Sequence, residues 1–364
     1  MADIQSAADY NIISFMVHSH RHEKPINIAA HIGEIEIYEN IELPYLTGTF
    51  NMKDDLSIYD GISWNGTEMI DIEFESPDNV GTIITKRFTV AEIVDTAKAS
   101  ENIEALEVKI IETNCFNSNM MQINKCYTGT PHQIIKKILK DNLDMEMEED
   151  DMPGIKPYQE TMKFVVPFMT PFEACEVIRS RMSTDLGLPY FLYSTLNYPN
   201  VQLKSLEEML QAPSINSHAP YRFSQSFNQS TVSAASDENV INVSAYSSVH
   251  KQNSLLLMKS GATAGQHSIT DMTTGQTVEY NFDVDDLFAN MAQVQLIKKD
   301  TVPVHHSKYK FNGKLMNEYN TKNIHRTVAN DTYLGINNIH QETNAGSFRL
   351  AACNNALRNM LFKT

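Results

Sequence analysis

The residues predict a mainly β protein with an α+β middle, and three observations carry that expectation. Apolar and charged residues alternate with a period of two through the first third of the chain. The period changes at Thr130, where helix-capping grammar appears, and a polar, strand-bearing region follows from about residue 201. With 364 residues, 42% hydrophobic and 20% charged, the chain is too long for one ordinary core and far from the composition of disorder.

In the first third, Ile35 and Ile37 sit between Glu34 and Glu36, and Ile70, Ile72 and Phe74 alternate with Asp71, Glu73 and Glu75. Such strands have one buried face and one wet, acidic face. Further strands are expected at Ile12 to Val17, Tyr45 to Met52, Ile83 to Val94 and Leu106 to Glu112. Breaks at Pro44, Asp54-Asp55, Asp60-Gly61 and Asp78 to Gly81 divide them into short pieces, giving an antiparallel barrel or sandwich over residues 1–128.

Thr130-Pro131-His132-Gln133 has a threonine cap, proline at the first helical position and glutamine three residues past the cap. The helix that follows buries Ile134, Ile135, Ile138 and Leu139, and Lys136, Lys137 and Lys140 make its wet face. Thr170-Pro171-Phe172-Glu173 repeats the grammar, with Ala174, Cys175, Ile178 and Met182 as the stripe of a second helix expected to end near Gly187. Strands follow at Pro189 to Tyr193 and Val201 to Leu203. The run Asp141 to Met152 holds seven carboxylates and no basic residue, which is the composition of a solvated loop. Beyond residue 212, Val240 to Ala245 and Leu255 to Met258 look strand-like. Asp283 caps a helix reaching about Lys298, and Phe348 to Leu361 forms a last helix.

The formal charge of −16, from 29 Lys and Arg against 45 Asp and Glu, opposes specific nucleic-acid binding, which needs cations to displace counterions from phosphate. Four scattered cysteines, none in a CxxC pair, fit reduced thiols of a protein folded in cytoplasm rather than a disulfide framework. Met1 to Tyr10 carries Asp3 and Asp9 and not the basic and apolar regions of a signal peptide, and no window has the roughly 18 apolar residues of a membrane span. His18, His20 and His22 fall on one side of an extended segment and are the metal-ligand candidates, although no carboxylate or cysteine completes a pattern and a polar strand end gives the same sequence. The adjacent His305-His306 would point to opposite faces of a strand. Asp283-Val284-Asp285-Asp286 lacks the glycine and closing glutamate of a calcium loop, and Gly261 to Gly265 lacks the lysine of a phosphate loop and reads as a flexible hairpin tip. No nucleophile, metalloprotease or kinase motif occurs, so no catalytic residue, cofactor or metal is assigned and no enzyme is expected.

The order of parts resembles the central baseplate hub protein of T-even-like contractile-tailed bacteriophages and their cyanobacterial relatives. The residues that carry it are Ile35 to Met52 leading into Asp54-Asp55, the strand pair ending at Leu106 to Glu112, the Gly129 to Leu143 helix, and Phe172 to Leu192. The resemblance implies two tail-tube-like antiparallel β-barrel domains and a helix-strand insert. The first barrel would span 1–128 and the helix and strand middle 129–200. The second tube-like domain would comprise 201–275 and 335–364 around a helical or irregular insert at 276–334.

Members of that family continue with further strands after a helix comparable to Phe348 to Leu361, so the second barrel is expected to be built differently, to be completed by another polypeptide, or to be incomplete at Thr364. The resemblance further implies a homotrimeric ring that joins a sixfold tail tube to a threefold central spike, contacts baseplate wedge proteins, and passes DNA through its channel without specific binding or membrane insertion. Its place would be the virion baseplate, after assembly in the host cytoplasm. Glu34, Glu36, Asp71 and Glu73 are the channel-facing candidates, since an acidic wall repels phosphate. Two other functions stay open: a tail-associated peptidoglycan or polysaccharide hydrolase, and a glycan-binding tail protein using the sole tryptophan, Trp64.

Overall fold

The computed structural model describes residues 11–54, 57–75, 83–100, 103–148, 161–212, 222–223, 242–243, 253–272, 275–284, 286–287 and 309–328. The chain divides into two compact units. Unit 1 comprises Met1–Asp151, Lys163–Arg179 and Phe191–Leu203, and unit 2 comprises Met152–Met162, Ser180–Tyr190 and Lys204–Thr364.

Unit 1 is built on seven strands: β1 (Asn11–His18), β2 (Ile26–Asn27), β3 (Ile32–Tyr38), β4 (Thr47–Asp54), β5 (Met69–Glu75), β6 (Ile83–Ser100) and β7 (Ile103–Glu112). They form one antiparallel sheet in the order β2-β1-β5-β6-β7-β4-β3. The alternation read from the sequence sets its two faces. Phe15, Val17, Phe50, Met52, Ile70, Ile72, Phe88, Val108 and Ile110 are buried in one cluster, with Ile12, Ile35 and Ile37 packed against it. Residues of β1 and β3, near opposite ends of the strand order, therefore share a core, which requires the sheet to curl into a half-barrel.

Of the sheet's five register shifts, β6 carries three. Its first half pairs with β5 and its second with β7, and the register against β7 shifts three times, at Val90/Glu92, Ile93/Asp95 and Lys98/Ser100. Each bulge adds twist and turns the strand. Gly48 of β4 permits the closest approach of two strands, because a Cβ there would lie 2.6 Å from the Glu36 carbonyl oxygen.

Short α1 (Ile58–Ile62) follows β4 and is fastened by the buried carboxylate of Asp54, which accepts from the backbone N–H of Ile58 and Tyr59, both at 2.8 Å. After β7 come α2 (Thr113–Asn119), β8 (Ile123–Gly129), α3 (Pro131–Leu143), β9 (Met147–Glu148), β10 (Met162–Met169) and α4 (Pro171–Arg179). The capping box expected at Thr130 is formed, with Gln133 N–H donating to Thr130 Oγ1 and Thr130 N–H to Gln133 Oε1. Thr170 and Glu173 make the same reciprocal pair at α4. That helix stops at Arg179 and not near Gly187. Beyond it, Thr184 Oγ1 accepts from Leu188 N–H, the kind of local side-chain bond that competes with helix. The acidic run begins as the end of α3, where Asp144 takes the left-handed capping position, and its residues 149–152 lie outside the described residues.

Strands β11 (Tyr190–Tyr193) and β12 (Val201–Ser205) join β9 in a three-stranded sheet, and α5 (Leu206–Gln211) follows with a Ser205 and Glu208 capping box. In unit 2, β13 (Arg222–Phe223) and β14 (Asn242–Val243) pair in parallel. The segment Leu255 to Met258, expected as strand, belongs to α6 (Ser254–Ser260), whose start is capped by Asn253 Oδ1 accepting from Leu256 N–H. Four consecutive apolar residues do not fix a period, and the cap decides for helix.

Strand β15 (Ala264–Asp271) pairs antiparallel with β16 (Thr277–Asp283) and, beyond the hairpin of β17 (Lys310–Phe311) and β18 (Lys314–Leu315), parallel with β19 (Lys322–Val328). Gly261 to Gly265 is not a hairpin tip: Ala262, Thr263 and Ala264 are buried and lead into β15, because their side chains are small enough for the interior. The expected last helix, His305-His306, most of Val240 to Ala245 and most of Asp283 to Lys298 lie outside the described residues.

Candidate assembly surface of the curled sheet

The four acidic candidates share the outer face of the half-barrel sheet, since their neighbours Ile35, Ile37, Ile70, Ile72 and Phe74 all point into the core cluster. They fall into two groups with different surroundings. Glu34 and Glu36 are exposed on β3, and with Glu107, Thr49 and Asn51 they rim a depression of about 220 Å³. The register places Glu34 beside Asn51 and Asn51 beside Glu107, so Glu107 is the acidic neighbour that completes this group. Tyr38, two residues on, donates its hydroxyl to Glu36, and that hydrogen bond holds the phenol above its ordinary value.

Asp71 and Glu73 on β5 are engaged instead. Asp71 receives Arg87 Nε at 2.6 Å and Nη2 at 2.8 Å, and His18 Nε2 lies 2.8 Å away. The Arg87 guanidinium, with His18, draws the carboxyl below its usual range. Glu73 accepts from Ser14 Oγ at 2.9 Å.

The three histidines are not brought to one point. His18 faces Asp71, His20 Nδ1 lies 3.4 Å from Asn65 Nδ2, and His22 Nε2 is 3.1 Å from the Gly61 carbonyl. They tie the end of β1 and the turn after it to three places, His18 to β5, His20 to the loop after α1 and His22 to α1 itself. Among the described residues there is no group of three metal-ligating side chains, and no helix is long and apolar enough to cross a membrane. Trp64 is half-buried against the core with its indole N–H enclosed, so it is not the open platform that a glycan-binding tryptophan presents.

Residues that the sequence reading passed over hold the mouth of the half-barrel. Lys86 points inward from β6, is only 8% exposed, and donates to the carbonyls of Thr195 at 3.0 Å and Tyr198 at 2.9 Å. Ser194 Oγ donates to the Pro44 carbonyl at 2.8 Å, and Leu196 N–H to Glu39 Oε1 at 2.6 Å. The loop between β11 and β12 is thereby strapped to the sheet. Glu112, also buried, accepts from Leu46 N–H at 3.0 Å. Burial lowers the Lys86 ammonium and raises the Glu112 carboxyl, and their mutual attraction offsets part of each shift. The signal was available: Lys86 follows Ile84 and precedes Phe88 at inward positions, and a charge there demands a partner.

Behind the strap lies a cavity of about 690 Å³ lined by Ile12, Ile35, Ile37, Phe74 and Leu196, with Glu39 and Asn197 as its polar members. Its walls come from β1 on one side and β3 on the other. These strands stay unjoined, leaving one backbone edge of β3 without a strand partner among the described residues.

No protein-family model matches the chain. Its sequence is 28% identical over 201 residues to the probable baseplate hub protein gp334 of Vibrio phage KVP40, a match covering 51% of this chain and 44% of that protein. The matched part is thus under half of that relative's length. Among solved structures, the chain is similar to a tail protein from Neisseria meningitidis MC58, with a TM-score of 0.42, 10% identity, and coverage of 92% of this chain and 74% of that one. It is also similar to the 43 kDa tail protein of prophage MuSo2 from Shewanella oneidensis, with a TM-score of 0.42, 10% identity, and coverage of 76% and 69%. The resemblance drawn from the residues stands: the chain is similar to a phage baseplate hub protein.

Proposed function

We propose that this chain is a structural protein of a phage tail baseplate, a hub subunit without catalytic function. The observation that carries the reading is the sequence match to a probable baseplate hub protein. In this reading three copies close into a ring that joins a sixfold tail tube to a threefold central spike, with wedge proteins around it and DNA crossing its channel. Closed symmetry provides the reason, because matching contacts on a sixfold partner require six equivalent surfaces, which three chains supply only if each offers two. The first of these is the curled sheet of unit 1, and the second belongs to the β region of unit 2.

The outer sheet face supplies the channel wall. Glu34, Glu36 and Glu107 put negative charge there, and the nearby Lys109 bonds Glu92 instead; an excess of negative charge repels phosphate within roughly a Debye length of about 8 Å at physiological salt. Light scattering and negative-stain electron microscopy of the purified chain test the ring. A trimer with a central hole is expected, and a monomer at every concentration, unresponsive to tube and spike proteins, would overturn it. Replacing Glu34 and Glu107 by lysine tests the wall: the altered ring should retain DNA that the native ring releases, and equal retention refutes the assignment.

A further inference from the structure

The edge of β3 that has no strand partner among the described residues and a hairpin of unit 2 carry complementary chemistry. Along β3, Ile35 and Ile37 turn toward the cavity and Glu36 between them turns out. Tyr309 and the strand β17 that it precedes have the matching order, Tyr309, Lys310, Phe311. Tyr309 and Phe311 are 62% and 58% exposed even though the Phe311 ring lies 6.4 Å from that of Tyr319, so most of their apolar surface is left to pack on something else. The hairpin turns through Asn312 and Gly313, both at positive φ, a tight two-residue connection whose twist suits paired antiparallel strands. Two strands of two residues are marginal in water without a further strand or surface to pack on. In a chain of net charge −16, the stretch from Lys308 to Leu315 contains three lysines and no acid.

We propose that the hairpin Tyr309 to Leu315 of a second copy adds to this edge of β3. Lys310 then sits across from Glu36, while Tyr309 and Phe311 cover Ile37 and Ile35 and reach into the cavity behind them. Backbone pairing gives affinity, and the alternation of aromatic and cation against apolar and anion fixes the register, since a slip of one residue would place lysine over isoleucine. The contact joins different surfaces on the two copies, so it propagates around a ring and closes when the rotation allows. It rests on the ring proposed above and names the contact that builds it.

The test uses the full chain with Cys126→Ser, because Cys126 is exposed and would cross-link on its own account. Ile37→Cys combined with Tyr309→Cys should, under mild oxidation, give disulfide-linked dimers and trimers on a non-reducing gel. Independently, Glu36→Lys and Lys310→Glu should each weaken assembly about fivefold per contact, and the two together should restore it. A wild-type chain that stays monomeric overturns the ring and this contact with it. A trimer that forms no cross-link and ignores both charge reversals, or a disulfide closed within one chain, overturns the contact alone.

Discussion

Lys86→Met removes the ammonium that straps the loop between β11 and β12 while keeping a side chain of similar length. Two carbonyls, of Thr195 and Tyr198, lose a charged donor. Hydrogen bonds to charged groups contribute about 1.5–3 kcal/mol each, and relief of the buried ammonium returns part of that, so unit 1 should lose about 2–4 kcal/mol. The protein supplies its own reporter. Trp64 is the sole tryptophan and packs against the core of unit 1, so urea unfolding followed by its fluorescence reads that unit. Hydrogen exchange adds a local measure, because the amide of Leu196, donated to Glu39, should exchange faster once the loop is released.

The buried carboxylate provides a second arm with a defined sign. Glu112 has a folded pKa raised from its ordinary 4.5, so the native state binds its proton more tightly than the unfolded chain. Stability from this group is therefore gained as pH falls through the folded value toward 4.5, and its charged form costs stability at neutral pH. Glu112→Gln should abolish that gain on acidification. Lys86→Met should enlarge it, since the carboxylate loses its attractive neighbour. In Lys86→Met with Glu112→Gln, the two changes should couple by about 0.5–3 kcal/mol. The reasoning is refuted if Lys86→Met moves the Trp64 transition by less than about 0.5 kcal/mol, the range of ordinary surface changes, and leaves Leu196 exchange unaltered.

Three further changes address other parts of unit 1. Gly48→Val should destabilise it by about 1–3 kcal/mol, since the new side chain meets the Glu36 carbonyl and Ile110, and thermal unfolding read at Trp64 measures the loss. Thr130→Ala removes one half of the capping box and should cost about 1 kcal/mol in urea unfolding, with Thr130→Ser restoring most of it. Arg87→Ala should cost no more than about 1 kcal/mol at pH 7, because the guanidinium is over half exposed. Asp71 has a lowered folded pKa, so its contribution is present above the ordinary 3.8 and fades as pH falls through the folded value. The difference between Arg87→Ala and wild type should shrink in the same acid window.

Local grammar was legible where one chemical rule decides. Strand alternation around Ile35, Ile70 and Leu106 sorted core from surface, and the Thr-Pro starts at residues 130 and 170 located two helices. What escaped depends on distance in space. Nothing near Lys86 in the sequence identifies the carbonyls of Thr195 and Tyr198, more than a hundred residues away, as its partners. The Ser205 to Glu208 box was readable by the same rule as Thr130 and was missed, whereas Leu255 to Met258 was misassigned because an apolar run carries no period. Alternation alone puts Glu34, Glu36, Asp71 and Glu73 on the side of their strands away from the core. Only the fold could separate Asp71, held by Arg87 and His18, from Glu34 and Glu36.

That separation sharpens the meaning of the net charge. In unit 1 the buried Asp54, Glu68 and Glu112 spend their carboxylates on backbone N–H groups, and Glu39 does the same for the loop strap. Asp71 and Glu92 are matched by Arg87 and Lys109. On the outer face Glu34, Glu36 and Glu107 rim one depression, and Glu34 and Glu36 lie on β3, the strand whose outer edge has no strand partner among the described residues. A channel wall and a subunit contact would then draw on the same short strand, and their demands differ. Repulsion of passing phosphate needs Glu34 and Glu107 uncompensated, whereas docking of a lysine consumes the charge of Glu36. Neutralising Glu34 with Glu107 should accordingly increase DNA retention and leave the assembly constant within about twofold, and Glu36→Gln should do the reverse. If both pairs of readouts move together, wall and contact are one surface and the division made here between these glutamates is wrong.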